Sequence, residues 1–202
     1  VPAGNLFNLN ISKDTGADVE VMGTTVINGL FNINSGTVIA ANREINTGGN
    51  ININAGGSLS LTDGAQLRVT GGRVFTIASG GSLSVTGTSS TNSRISRNGA
   101  AGLYELQING NIAARYAIFE GMHAVNLWSQ STVDPLNSFD YCTFQNGGDR
   151  FMQVASSQDL IIRGANFPTA PFYNNIWKSN NAGSVEFRSA TGAYAGATYE
   201  ND

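Results

Sequence analysis

Residues 36–85 read GTVIAANREINTGGNININAGGSLSLTDGAQLRVTGGRVFTIASGGSLSV, and this stretch decides the fold. One phrase comes round three times: Gly36-Thr37-Val38-Ile39-Ala40, Gly57-Ser58-Leu59-Ser60-Leu61 and Gly81-Ser82-Leu83-Ser84-Val85. A second phrase precedes each: Ile33-Asn34-Ser35, Ile53-Asn54-Ala55 and Ile77-Ala78-Ser79. The steps are 59 − 38 = 21 and 83 − 59 = 24 residues. A repeat of this length built from alternating apolar residues is the mark of a solenoid, in which each turn buries its apolar side only against the next.

Each repeat holds three short alternating runs, for example Leu59 to Leu61, Leu67 to Val69 and Phe75 to Ile77. Period-two alternation sends one set of side chains inward and the other outward. Gly, Asn and Asp separate the runs, and these residues tolerate the positive φ of tight corners. The runs Phe7 to Ile11, Asp18 to Val21, Phe31 to Asn34 and Ile51 to Asn54 extend the pattern toward the N-terminus. Residues 88–102, rich in Ser, Asn, Gly and Arg, form either a protruding loop or a coil with a long corner, since Ile95 keeps the register.

The C-terminal half carries a new refrain. Tyr116-Ala117-Ile118-Phe119-Glu120-Gly121 matches Tyr141-Cys142-Thr143-Phe144-Gln145-Asn146, and Gly164-Ala165-Asn166-Phe167 is a third copy. Small Ala117, Cys142 and Ala165 and large Phe119, Phe144 and Phe167 are expected to form two internal ladders. Ile95 would extend the Phe ladder upward and Phe187 downward. Arg115, Asp140 and Arg163 each lie four residues before their Phe, so they are expected to stack as plus, minus, plus along one corner. The expected fold is all-β: a single right-handed, three-sided parallel β-helix of roughly eight coils over residues 1–202.

These refrains and the Gly-Ser-Leu-Ser-Leu phrases resemble right-handed parallel β-helix proteins, and the Gly-Gly-Ser-Leu-Ser-Val coil looks like large exported surface proteins of Bacteroidota. The resemblance implies the fold but selects no single activity, because β-helices serve as lyases, hydrolases, adhesins and fibres. Families resembling pectate lyases carry carboxylate calcium ligands on successive coils. Those resembling polygalacturonases carry Asp-Asp and His-Gly, and neither dipeptide occurs here.

Composition narrows the function. Charged residues make up 12%, about half the usual share, and the formal charge is −3 with 9 Arg and 2 Lys. No basic block suggests a nucleic-acid partner. The single cysteine, Cys142, allows no internal disulfide, and no apolar run reaches the ~20 residues of a membrane-spanning helix. The start at Val1 and the Asn/Ser/Thr/Gly-rich composition fit an excised or mature segment of an extracellular or cell-surface protein.

Candidate chemistry is sparse. General acid–base hydrolysis needs two carboxylates close together, and the loop carboxylates Glu120, Asp134, Asp140, Asp149 and Asp159 show no such pairing in sequence. His123, three residues after Glu120, is the only histidine, so no zinc site is expected. The stretch Asp14 to Asp18 reads as a turn. The most distinctive surface is aromatic. With Leu127, Met152 and Ile176 taken as equivalent inward positions, Trp128, Gln153 and Trp177 would point outward on one side, and Asn126, Phe151 and Asn175 on the other. Such a face suits sugar rings, a protein contact, or cover by the chain's own 131–138 loop. Outward Ser58-x-Ser60 and Ser82-x-Ser84 align in hydroxyl ranks.

The expected function is an extracellular structural module, an adhesin or fibre-forming solenoid without catalytic activity or cofactor. Its partners would be itself, stacked head to tail, or other surface proteins. The alternative is a carbohydrate-binding or polysaccharide-degrading module. Neither nucleic acid nor membrane insertion is expected.

Overall fold

The structure, a computed structural model, describes residues 1, 3–14, 16–99 and 101–201. It is an all-β parallel solenoid of about eight turns, so at ~4.8 Å per coil the stack is roughly 38 Å long. Each coil contributes to three faces. Face A holds seven strands, Gly4–Leu6, Thr25–Ile27, Glu44–Thr47, Gln66–Thr70, Ser93–Asn98, Ala117–Glu120 and Thr143–Gln145. Single parallel bridges at Asn166 and Thr191 extend it. These segments number the coils: the first carries Gly4, the sixth Ala117, the seventh Thr143 and the eighth Asn166.

Face B runs from Leu9–Ser12 through Ile51–Ile53, Val74–Ile77, Tyr104–Ile108, Met122–Leu127, Arg150–Val154 and Asn174–Lys178 to Glu200–Asn201. Face C runs from Asp18–Glu20 through Gly57–Thr62, Ser82–Thr86 and Asn111–Arg115 to Thr132–Asp140. The long strand Phe31–Ala41 bends from face B into face C and joins the two sheets. Below face C, Leu160–Arg163 pairs with Val185–Arg188.

The repeated phrases superpose as their spacing requires. Val38 pairs with Leu59 and Leu59 with Leu83, while Ser58 and Ser60 sit over Ser82 and Ser84. On face A the inward column is Ile45, Leu67, Ile95, Phe119 and Phe144. The Phe ladder is real: ring centroids of Phe119 and Phe144 lie 5.4 Å apart, and those of Phe144 and Phe167 5.6 Å. Ala117, Cys142 and Ala165 are fully buried beside it. Phe187 does not continue the ladder. It pairs with Ile162 on the neighbouring sheet and meets Phe167 edge-on at 5.6 Å.

The corner from face C to face A explains the turn residues. Asn42, Asp63, Tyr116, Tyr141, Gly164 and Ser189 all have positive φ there. Their backbone groups bond coil to coil, as in Asn42 N–H to Thr62 O at 3.0 Å and Gly164 N–H to Arg188 O at 2.8 Å. Asn, Asp and Gly take this conformation cheaply, whereas tyrosine does not. Tyr116 and Tyr141 accept it because their rings stack at 4.8 Å, 9° from parallel. The absence of a side chain at Gly164 makes room: a Cβ there would lie 2.6 Å from the Tyr141 ring.

On face B the outward amides form their own ladders. Asn32 donates to Asn10 at 2.7 Å and Asn52 donates to Asn32 at 2.8 Å, with Asn54 and Asn34 linked alongside at 2.7 Å. Residues 88–102 (Ala100 lies outside the described residues) resolve into the long-corner alternative. Thr88 and Thr91 close a turn, and Ser93–Asn98 rejoins face A. In 14–18, Ala17 N–H bonds to Asp14 O at 3.0 Å, a turn as expected, with Thr15 outside the described residues.

Candidate functional site

The outer surface of face B in coils five to seven carries a trough of about 400 Å³, lined among others by Glu105, Gln107, His123, Trp128, Arg150 and Gln153. Its floor follows one register column, Gln107, Asn126 and Gln153, which Trp177 continues one coil beyond the trough. Trp128 stands just past the end of its strand, where its indole N–H donates to Gln107 Oε1. Gln107 Nε2 in turn donates to Glu105 Oε2 at 2.9 Å. This chain fixes the Trp128 ring while leaving part of it exposed. Arg150 lies over the Trp177 ring, Cζ to centroid 4.4 Å, and 6.0 Å from the Tyr173 centroid. Arg150 Nε is buried with no hydrogen-bond partner, and among the described residues Arg150 makes no ion pair.

The expected aromatic face is therefore present with a different membership. Met152 pairs with Val125, not Leu127, and Leu127 pairs with Val154. The cause is corner length. From Phe119 to Val125 is 125 − 119 = 6 residues, but from Phe144 to Met152 is 152 − 144 = 8. The two extra residues move face B by one side-chain repeat without changing face A. Trp128 and Trp177 thus stand on a diagonal, two coils and two residues apart, roughly 12 Å by strand geometry.

Two of the expected outward residues, Phe151 and Asn175, turn inward, while Asn126 keeps the outward side. Phe151 is fully buried and packs against Phe144 and Phe167, with centroids 6.3 and 5.8 Å away. It sits where the chain rounds the corner, so it and Met152 both face the core. Asn126 stays in the trough floor, where neighbouring side chains nearly cover it and it donates to Leu106 O at 3.2 Å. Asn175 is fully buried and donates to Tyr194 O at 2.6 Å. The 131–138 segment does not cover the tryptophans. It enters strand Thr132–Asp140 of face C, and only Ser131 reaches back, donating its hydroxyl to Trp128 O at 2.7 Å.

The charged corner is partly as expected. Asp140, almost buried, accepts from the Arg163 guanidinium at 3.2 Å and from Arg163 N–H at 2.8 Å. Arg115 is paired in register with Asp140 but directs its guanidinium to the Tyr116 and Tyr141 rings, 5.2 and 5.9 Å from their centroids. Ring stacking at this corner draws Arg115 away from the carboxylate.

Glu120 and His123 form no dyad. Glu120 is on face A, where it binds Arg94 at 3.0 Å and Asn146 at 2.9 Å, whereas His123 is exposed beside the face B trough. No group of His, Cys, Asp and Glu among the described residues could hold a metal ion. Sequence reasoning missed Arg150, Gln107 and Glu105. Gln107 was legible as an outward residue of the run Leu106-Gln107-Ile108. Arg150 had no signal, because its value depends on a tryptophan one coil away. No protein-family model, curated protein or solved structure matches the chain.

Proposed function

We propose that the chain is a rigid, non-catalytic extracellular module of the adhesin or structural type, and that its face B trough takes hold of carbohydrate. One observation carries the second part. One part-exposed indole, Trp128, lines the trough among side-chain amides, and a second, Trp177, stands one coil beyond its lining with the Arg150 guanidinium over its ring. The C–H faces of pyranose rings stack on indoles, while amides, carboxylates and guanidinium groups exchange hydrogen bonds with hydroxyls. Trough carboxylates and Arg150 offer acceptors and donors together, which suits hydroxyl-bearing sugars. The non-catalytic reading rests on the trough's openness: Asp149 and His123 are exposed to water and Glu105 is engaged by Gln107. Stiffness follows from the continuous core and the Asn and Phe ladders. Extracellular location and the likeness to exported bacterial surface proteins belong to this same proposal.

A glycan array tests it. The parent is expected to bind a subset of glycans, and Trp128→Ala with Trp177→Ala to weaken that binding by about tenfold or more. Unchanged signals in the double variant would refute the trough, and release of soluble product from a polysaccharide would refute the non-catalytic reading.

A further inference from the structure

The three faces treat their outward polar groups differently in coils two to five. On face A they are charged and paired, as in Arg68 with Glu44 and Arg94 with Glu120. On face B the amides of the early coils are consumed by one another in ladders. Face C has neither feature. Its outward positions are Thr37, Ile39 and Ala41, then Ser58, Ser60 and Thr62, then Ser82, Ser84 and Thr86, then Asn111 and Ala113. The central ranks carry no charge, and Arg115 enters only at the corner. Among the described residues, the hydroxyls of Thr37, Ser58, Ser60 and Ser84 have no side-chain partner, and Ser82 has only Asn111, at 3.3 Å.

These residues floor a groove of about 480 Å³. Its length is set by the column Thr37, Ser58, Ser82, Asn111 and Thr132, one residue from each of five successive coils, so about 19 Å along the axis. One wall is a ledge at residues 134–137. The register between Asn111–Arg115 and Thr132–Asp140 jumps there from Ile112↔Val133 to Ala114↔Ser138, which pushes the extra residues out of the sheet. Asp134 caps the ledge by accepting from the N–H groups of Leu136 at 2.7 Å and Asn137 at 3.2 Å.

We propose that this groove is a second binding site, for a linear, uncharged, polyhydroxylated polymer: a neutral polysaccharide chain lying along the solenoid axis. The volume is that of a ligand site. The elongated shape selects an extended chain, the floor carries no charge, and the Asp134 carboxylate on the wall disfavours an anionic one. The unpartnered hydroxyls can each donate and accept, as sugar hydroxyls require. An added peptide strand is disfavoured, because the backbone groups of this face are already paired within the sheet and only its rims are edges. With no aromatic platform in the floor, affinity accumulates over many weak contacts and so grows with chain length. This site is separate from the face B trough and does not depend on it.

The test titrates the Trp128→Ala/Trp177→Ala protein, in which the trough is silenced, with linear neutral gluco-oligosaccharides from disaccharide to octasaccharide, by calorimetry or NMR shifts. Binding is expected to tighten steadily with length and to weaken about tenfold or more in Ser60→Glu/Ser84→Glu. Thermal unfolding checks that this variant is folded. If it is not, Ser60→Ala/Ser84→Ala, which keeps the shape and removes two hydroxyls, is expected to weaken octasaccharide binding several-fold. Absence of length-dependent binding, binding indifferent to the serine substitutions, or shaping of ice crystals without glycan binding would each overturn the proposal. Signals lost with the tryptophans belong to the trough and those lost with the serines to face C, so the two sites fail separately.

Discussion

Replacing Phe144 by Ala tests the column on which the C-terminal coils are built. The ring is fully buried and has four aromatic neighbours: Phe119 at 5.4 Å, Phe167 at 5.6 Å, Phe139 at 6.1 Å and Phe151 at 6.3 Å. A buried Phe→Ala change costs roughly 3–5 kcal/mol, depending on how far the surroundings collapse into the cavity. Collapse is restricted here, because Phe119 lies in a paired strand and the segment carrying Phe167 is held to the adjacent coils by backbone hydrogen bonds. The four ring contacts, worth about 0.5–1.5 kcal/mol per aromatic pair, are lost as well. The expected loss is therefore at the upper end, about 4–5 kcal/mol, a large share of the ~5–15 kcal/mol of a typical domain.

Urea unfolding followed by tryptophan fluorescence reads this directly, since Trp128 and Trp177 lie in the coils on either side of Phe144. A solenoid couples each turn mainly to its neighbours, so the damage is local. Hydrogen exchange of Phe31–Ala41, four or more coils away, should keep most of its protection. Phe7→Ala is the control: that ring is 77% exposed, and the change should cost less than about 0.5 kcal/mol. A loss below about 1 kcal/mol for Phe144→Ala would refute the stacked column.

Further expectations concern buried and paired groups. Asp140→Ala should cost about 2 kcal/mol, because it leaves Arg163 N–H without its acceptor in a nearly buried place. Arg163→Ala should cost under about 1 kcal/mol, since that guanidinium is substantially exposed; equal losses in urea titrations would contradict this asymmetry. The Cys142 thiol is pushed from 9.0 up to about 12 by burial, with the Asp140 charge adding to the rise and a hydrogen bond to the Ala117 backbone opposing it. It should therefore resist a thiol reagent at pH 8 until the chain unfolds, and fast labelling of the native protein would sink this. Burial also raises the Tyr104 hydroxyl above its ordinary 10.0. For both groups the folded state holds its proton more tightly than the unfolded state. The Cys142 contribution is whole below about pH 9 and is lost as pH rises toward 12, and the Tyr104 contribution begins to fall only above about pH 10. The urea midpoint should fall over that window, and a flat profile from pH 8 to 11 would contradict the burial of these groups.

The candidate site was only partly legible. The notion of an aromatic face came from Trp128 and Trp177 themselves, and both do stand on face B. Its membership depended on corner length, and a corner can take in two extra residues without disturbing the apolar alternation on either side. Phe151 and Asn175 turn inward for that reason, while Asn126 keeps the outward side its alternation implies. Alternation says which residues of a strand share a side, but it is silent where the chain rounds a corner and two successive side chains can both point inward.

What the sequence by itself determined is the wound column. Period-two runs, Gly and Asn corners and refrains 21 to 25 residues apart leave each turn an apolar side that only the next turn can cover. What only the tertiary structure decided is which outward groups meet across coils. Arg115 lies on tyrosines rather than against Asp140, Arg150 lies on Trp177, and Ser58, Ser60 and Ser84 of face C have no side-chain partner while the asparagines of face B bond one another. Burial repeats along the chain and so can be read from it. Contacts between exposed side chains depend on local register and ring packing that exist only once the coils are stacked.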